Sequence, residues 1–137
     1  MNKNNIIRIK MIIIIDTNFL IYSAKYKIDL ISEFDRLYSN YKIIIPKKVM
    51  LELRKLTGMR GRDKFSAQLS LAIIEKMLSE GLLTVKEAES KNADNEIIKL
   101  ANEIKEKKAV ATMDRELIGK IKGSIMLKIR QKKYISE

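Results

Sequence analysis

Four consecutive isoleucines, Ile12 to Ile15, run straight into Asp16, Thr17 and Asn18 in the stretch MIIIIDTNFLIYSAK. Four β-branched side chains in a row leave no polar face, so the segment reads as a strand buried on both sides. A second run, YKIIIP from Tyr41 to Pro46, has the same character. Strands of this kind belong to parallel sheets covered by helices on both faces. The first run also poses a chemical problem. A carboxylate set against an apolar core is costly unless a partner holds its charge. A helix N-terminus can do this, and so can a metal ion.

The rest of the chain supplies the covering helices. Asn18–Ala24 reads as a short helix, and Asp29–Tyr38 as a second with Leu30, Ile31, Phe34 and Leu37 on one face. Pro46 suits the opening of a third, KKVMLELRKLTG, where a missing N–H costs nothing. Its apolar face is Val49, Met50, Leu53 and Leu56, and Gly58 stops it. Phe65–Glu80, NADNEIIKLANEIKEKK and RELIGKIKG are further helices, while LLTV, AVATM and SIMLKIR are short strands. This alternation predicts a three-layer α/β/α domain around a five-stranded parallel sheet. At 137 residues the chain has room for one such core. Residues 1–10 precede the first strand and divide from 11–137; their NIIRIK segment suits an edge strand or a flexible basic arm.

Composition narrows the chemistry. Cysteine and histidine are both absent, which excludes disulfides, thiolate metal sites and any device that uses imidazole as its base. A metal held by this chain is held by oxygen, which points to a hard cation such as Mg²⁺ or Mn²⁺. No apolar run approaches the roughly 20 residues of a membrane span, and no signal-peptide pattern opens the chain. A cytoplasmic location is expected. The 28 basic residues exceed the 17 acidic ones by 11, a balance that favours a polyanionic partner, most simply nucleic acid, over a merely solvated surface.

Ligands of parallel α/β sheets bind outside the carboxyl ends of the strands. Asp16 and Asp114 each close a strand there, Asp94 opens a helix, and Glu52 lies at the edge of the apolar face of the helix after YKIIIP. Each has a plain alternative: Asp16, Asp94 and Asp114 as helix caps, Glu52 as a solvated helix residue. Capping alone does not account for two apolar strands that both end in Asp, and the four together suggest a shared cation site.

These residues carry a resemblance. DTNFLIYS, P-x-x-V-M-x-E-L, ADNEII and ATMDREL, in this order from residue 11 to the C-terminus, resemble the motifs of PIN-domain nucleases. DTNF, YKIDL, VATMDREL and SIMLKIRQKKYI are similar to the small-subunit-processome branch that cleaves ribosomal RNA precursors, and to its archaeal relatives. The resemblance implies endoribonuclease activity with Asp16, Glu52, Asp94 and Asp114 as catalytic carboxylates. It makes Asp16, Asp94 and Asp114 ligands of Mg²⁺ or Mn²⁺, with Asn18 and Thr112 as supporting polar groups. Where that branch often has a second Asp after the one matching Asp94, this chain has Asn95. The cysteine-bearing extension is missing too.

Carboxylates repel RNA, so a basic rim is expected from Lys47, Lys48, Arg54 and Lys55 around Glu52, from Arg60, Arg62 and Lys64 on the following turn, and from Arg115 and Lys120 beside Asp114. KIRQKKY forms a second basic cluster, in which Tyr134 either packs or stacks on a base. Three functions remain open: an endoribonuclease acting on ribosomal RNA precursors with a ribosome-assembly partner, a toxin-type nuclease neutralised by an antitoxin, and an RNA-binding scaffold with impaired catalysis. A homodimer is compatible with all three.

Overall fold

The computed structural model describes residues 10–137. The proposed edge strand or arm in NIIRIK therefore lies outside the described residues. Six strands and six helices follow: β1 (Met11–Ile15), α1 (Thr17–Lys25), α2 (Leu30–Leu37), β2 (Tyr41–Pro46), α3 (Lys47–Thr57), α4 (Lys64–Ser79), β3 (Leu83–Lys86), α5 (Ala93–Glu103), β4 (Lys108–Ala111), α6 (Arg115–Lys120), β5 (Ile125–Arg130) and β6 (Tyr134–Ser136). They form one sheet in the order β3-β2-β1-β4-β5-β6. The first five strands are parallel, as the α/β alternation predicts.

The isoleucine strand is central. Ile12 to Ile14 pair with Lys42 to Ile44 on one side, and Ile12 to Ile15 pair with Lys108 to Ala111 on the other. Ile13, Ile14 and Ile15 are wholly buried, as are Ile43 and Ile45 beside them. Each such side chain stabilises the fold by about 1.5–3 kcal/mol relative to exposure. Strand order reverses at β1 and β4, the switch point where open sheets leave a crevice at their carboxyl edge.

The sheet has one strand more than the sequence pattern suggests. The KIRQKKY segment keeps its basic side chains exposed but is built as a hairpin, in which β6 pairs antiparallel to β5. Gln131 and Lys132 open its three-residue loop with φ of 53° and 56°, left-handed backbone that side-chain-bearing residues seldom adopt. β6 is the sheet edge, and α2 covers it: Glu33 accepts from the Ile135 N–H at 2.6 Å, and Arg36 donates to the Ile135 carbonyl at 2.5 Å. Both groups that would template another strand are thereby occupied. Tyr134 packs with Arg36 over its ring, 6.0 Å from the centroid.

The helix–helix arm between β2 and β3 shapes the crevice. The Leu82 N–H reaches the Met77 carbonyl, and the Ile43 N–H reaches the Leu82 carbonyl. These bonds fix the end of α4 beside the first half of β2. The 16 residues of α4 span about 24 Å, whereas a six-residue strand covers about 20 Å. The α3–α4 turn therefore stands beyond the carboxyl edge. α4 packs on α1 through small residues, and the Ser70 hydroxyl donates to Leu20 and Ser66 carbonyls at 3.2 and 2.8 Å.

Candidate active site

The crevice begins with the bond from the Asp16 N–H to the Ala111 carbonyl at 3.0 Å, which locks the ends of β1 and β4 together. The Asp16 side chain is 5% exposed. Its Oδ1 accepts from the Thr17 N–H at 2.7 Å and caps α1. Its Oδ2 accepts from the Thr112 hydroxyl at 3.0 Å. The Thr112 oxygen in turn accepts from the Asp114 N–H at 3.0 Å, so one chain of bonds runs from Asp16 to Asp114. Asp114 caps α6, with Oδ1 accepting from the Glu116 and Leu117 N–H groups. The capping roles of Asp16 and Asp114 are thus real, while α5 is capped by Asn92, which accepts from Asn95. Asp94 makes no cap.

The electrostatics tie these residues to one place. Burial raises the Asp16 carboxyl from its ordinary 3.8 to about 6, against the hydrogen bonds from Thr17 and Thr112, and the charges of Asp94 and Glu52 push the same way. Asp94 is also raised, first by burial, then by the neighbouring charges of Asp114 and Glu52 and a hydrogen bond to Asp114; Lys120 opposes this. The four carboxylates expected at the crevice are therefore brought within range of one another. Among the described residues no three are drawn together tightly enough to enclose an ion as they stand. The donors are nonetheless all oxygen, they repel one another, and they lie in a crevice whose neighbouring Thr17 hydroxyl is buried without a partner. That chemistry fits a hard divalent cation.

The supporting residues divide. Thr112 is integral, buried and bonded to Asp16. Asn18 is exposed on α1, and its side chain bonds to none of the described groups. Glu96 escaped sequence reasoning because it sits among charged helix residues. It is wholly buried; its Oε1 accepts from the Lys48 N–H at 2.7 Å and its Oε2 from the Ala88 N–H at 3.1 Å. Pro46 gives α3 no side-chain cap, so Glu96 supplies one from α5. It holds the helix of Glu52 against the helix of Asp94. The signal in the sequence was its position in the first turn of α5, two residues beyond Asp94.

The basic rim is only partly as expected. Arg54, Lys55, Arg60, Arg62, Lys64, Arg115 and Lys120 are exposed. Lys47 pairs with Glu87 at 3.7 Å, while Lys48 donates its backbone N–H to Glu96 and its ammonium is in no ion pair among the described residues.

A family model described as a PIN like domain matches residues 13–132. This chain belongs to that family. The PIN-like domain is 34% identical over 128 residues to ribonuclease VapC4 of Methanocaldococcus jannaschii, with 89% of this chain and 92% of that protein covered. Among solved structures it is similar to the PIN domain endonuclease Utp24, with a TM-score of 0.72 and 27% identity over 90% of this chain and 88% of that one. The VapBC2 complex of Rickettsia felis, with a TM-score of 0.56 and 18% identity over 85% of this chain and 97% of that one, shares the fold.

Proposed function

We propose that this PIN-like domain is a divalent-metal-dependent endoribonuclease acting in the cytoplasm. The observation that carries the reading is the gathering of Asp16, Glu52, Asp94 and Asp114 at the switch point, where Asp16 and Asp94 are held above the ordinary carboxylate range. Carboxylates so crowded are relieved by a cation. Asp16, Asp94 and Asp114 would hold Mg²⁺ or Mn²⁺. Such an ion, when bound, supplies an acidified water and neutralises charge on the phosphate. Glu52 orients the attacking water from α3. Thr112 holds Asp16 so that its charge faces the crevice, and Glu96 sets the spacing of α3 and α5. Hydrolysis leaves a 5′-phosphate and a 3′-hydroxyl. Exposed Arg54, Lys55, Arg60, Arg62 and Arg115 offset the carboxylates and draw in RNA.

Two substrate contexts have specific support. The similarity to Utp24 and the DTNF and SIMLKIRQKKYI motifs favour a ribosomal RNA precursor, with a ribosome-assembly protein as partner. The identity with ribonuclease VapC4 favours a toxin role with an antitoxin as partner. Incubation of the protein with a ribosomal RNA precursor and with unrelated RNA, in Mn²⁺ or in EDTA, tests the reading. Cleavage at discrete sites in Mn²⁺ only, with 5′-phosphate ends, is expected. Binding without cleavage in Mn²⁺ would instead make the protein an RNA-binding scaffold. Preference for the precursor separates the first context from the second, as does growth arrest on expression that a co-expressed antitoxin relieves.

A further inference from the structure

The carboxylate crevice has two flanks. On the side of β2 stands the α3–α4 turn with Arg60 and Arg62. On the other side, between α6 and the end of β5, lies a cavity of about 470 Å³ that shares Thr112 with the crevice. Thr112 is the residue whose hydroxyl bonds Asp16, and Arg115 directly follows Asp114, so the cavity adjoins the candidate active site. Its cations are Arg115, Lys128 and Arg130. Four other cavities among the described residues each contain at least one carboxylate: Asp29 and Glu80, Glu103 and Glu106, Glu89, or Glu87. This one contains none. Among the described residues none of its three cations is in an ion pair. Arg130 spends its Nε on Ser136 at 3.0 Å and keeps its other N–H groups free of described partners.

The remaining wall is apolar. Met113, 39% exposed, and the half-buried Ile118 and Ile129 line it. Cations without counter-charges beside an apolar wall match the two surfaces of a nucleotide, its phosphate and its base. The volume lies in the range of small-ligand sites. The end of β5 lies two strand spacings, about 10 Å, from that of β1, so a chain crossing the crevice reaches it.

Resting on the endoribonuclease reading, we propose that this cavity seats a nucleotide flanking the scissile phosphate of single-stranded RNA. Arg115 and Lys128 contact backbone phosphate, and the base lies against Met113. The RNA strand therefore crosses the carboxyl edge from the α3–α4 turn to β5. A base-paired helix would hold its bases in the stack and away from Met113, so the site selects unpaired RNA.

The test is fluorescence anisotropy of a labelled single-stranded oligonucleotide in EDTA, so that binding is read without cleavage. Arg115→Ala with Lys128→Ala is the informative variant, because both side chains are exposed and bond to no described group; it is expected to fold like the parent. Affinity should fall about tenfold at low salt, and the slope of log affinity against log salt should lessen by about 1.4, since each single-strand phosphate contact contributes about 0.7. Met113→Ala should weaken binding with the slope unchanged. Arg60→Ala with Arg62→Ala tests the opposite flank in the same assay. A parent that binds no single-stranded RNA defeats the endoribonuclease reading. A parent that binds, with the Arg115/Lys128 variant matching it in affinity and slope, defeats the cavity alone. Equal affinity for a duplex of the same sequence would overturn the selection for unpaired RNA.

Discussion

Replacing Asp16 by Asn should stabilise the metal-free protein and abolish its response to metal. Asp16 is raised from 3.8 to about 6, so the folded state binds that proton more tightly than the unfolded chain. The stability it lends is therefore complete below about pH 4 and is lost as pH rises through about 6. Above that pH the cost is about 3 kcal/mol, at 1.36 kcal/mol per pH unit. Asn carries no charge at any pH and escapes this cost. Its carbonyl can keep the bond from the Thr17 N–H, since Asn caps about as well as Asp. Its amide must face the Thr112 hydroxyl, which then loses the acceptor it has in Asp16. That loss costs about 1 kcal/mol, leaving a net gain of about 2 kcal/mol.

At about 2.1 cal/mol/K of unfolding entropy per residue, 2 kcal/mol raises the melting temperature of a chain this size by about 7 °C. Thermal melts of both proteins in EDTA at pH 4 and pH 7.5 read this directly: the variant leads at pH 7.5 and the lead closes at pH 4. In Mn²⁺ the order should reverse. A ligand at 100 times its dissociation constant adds about 2.7 kcal/mol to the parent, and the variant lacks one carboxylate to bind it. A variant that melts at or below the parent in EDTA at pH 7.5 would refute the electrostatic argument. A parent indifferent to Mn²⁺ would refute the metal site.

Glu96→Gln should destabilise the fold by about 1–3 kcal/mol, because one amide cannot accept from both Lys48 and Ala88 N–H groups and sets an NH₂ against one of them; urea titration measures it. Asp114→Ser should keep the α6 cap, with stability within about 0.5 kcal/mol of the parent, while cleavage and Mn²⁺ binding are lost; unimpaired Mn²⁺ binding by calorimetry would remove Asp114 from the ligand set. Gln131→Asn with Lys132→Gly should stabilise the β5–β6 turn by about 1 kcal/mol, since both positions hold left-handed backbone, and the melting temperature should rise with nuclease activity unchanged.

The centre of the sheet was legible because β1 and the second half of β2 are too apolar to be anything but interior. Ile12–Ile15 and Ile43–Ile45 leave no alternative face, and the helices between them carry their own periodicity. The hairpin was missed because Gln131 and Lys132 are not turn-forming residues by type, and their φ values are imposed by the pairing of β5 with β6 rather than encoded in the residues themselves. The helix written through NADNEIIKLANEIKEKK stops at Glu103, where Lys108 reaches back with its ammonium to the Ala101 and Ile104 carbonyls. Those contacts span only seven and four residues, but the apolar periodicity of the segment gives no sign of them. In the site, strand ends announced Asp16 and Asp114, and their order announced a common edge. Glu96 gave no such notice, because its burial depends on α3 arriving beside α5. The pairing of Lys47 with Glu87 likewise joins two segments that the sequence keeps 40 residues apart.

Capping and cation binding at the strand ends are compatible because a carboxylate has more lone pairs than a cap consumes. Asp114 spends only Oδ1 on the Glu116 and Leu117 N–H groups, and Asp94 spends neither oxygen on a cap, because Asn92 does that work. The helix N-terminus partly offsets the charge of each capping carboxylate before any ion arrives. For Asp16 that offset is too small, since burial still raises it to about 6 despite the bonds from Thr17 and Thr112. The residue that gains most from an ion is therefore the one at the floor of the crevice, farthest from water. A chain without histidine has no imidazole with which to activate water there. Burying an unneutralised aspartate is the means left to it for raising affinity for a hard cation, and the cost of doing so in the metal-free protein is the quantity the Asp16→Asn melts measure.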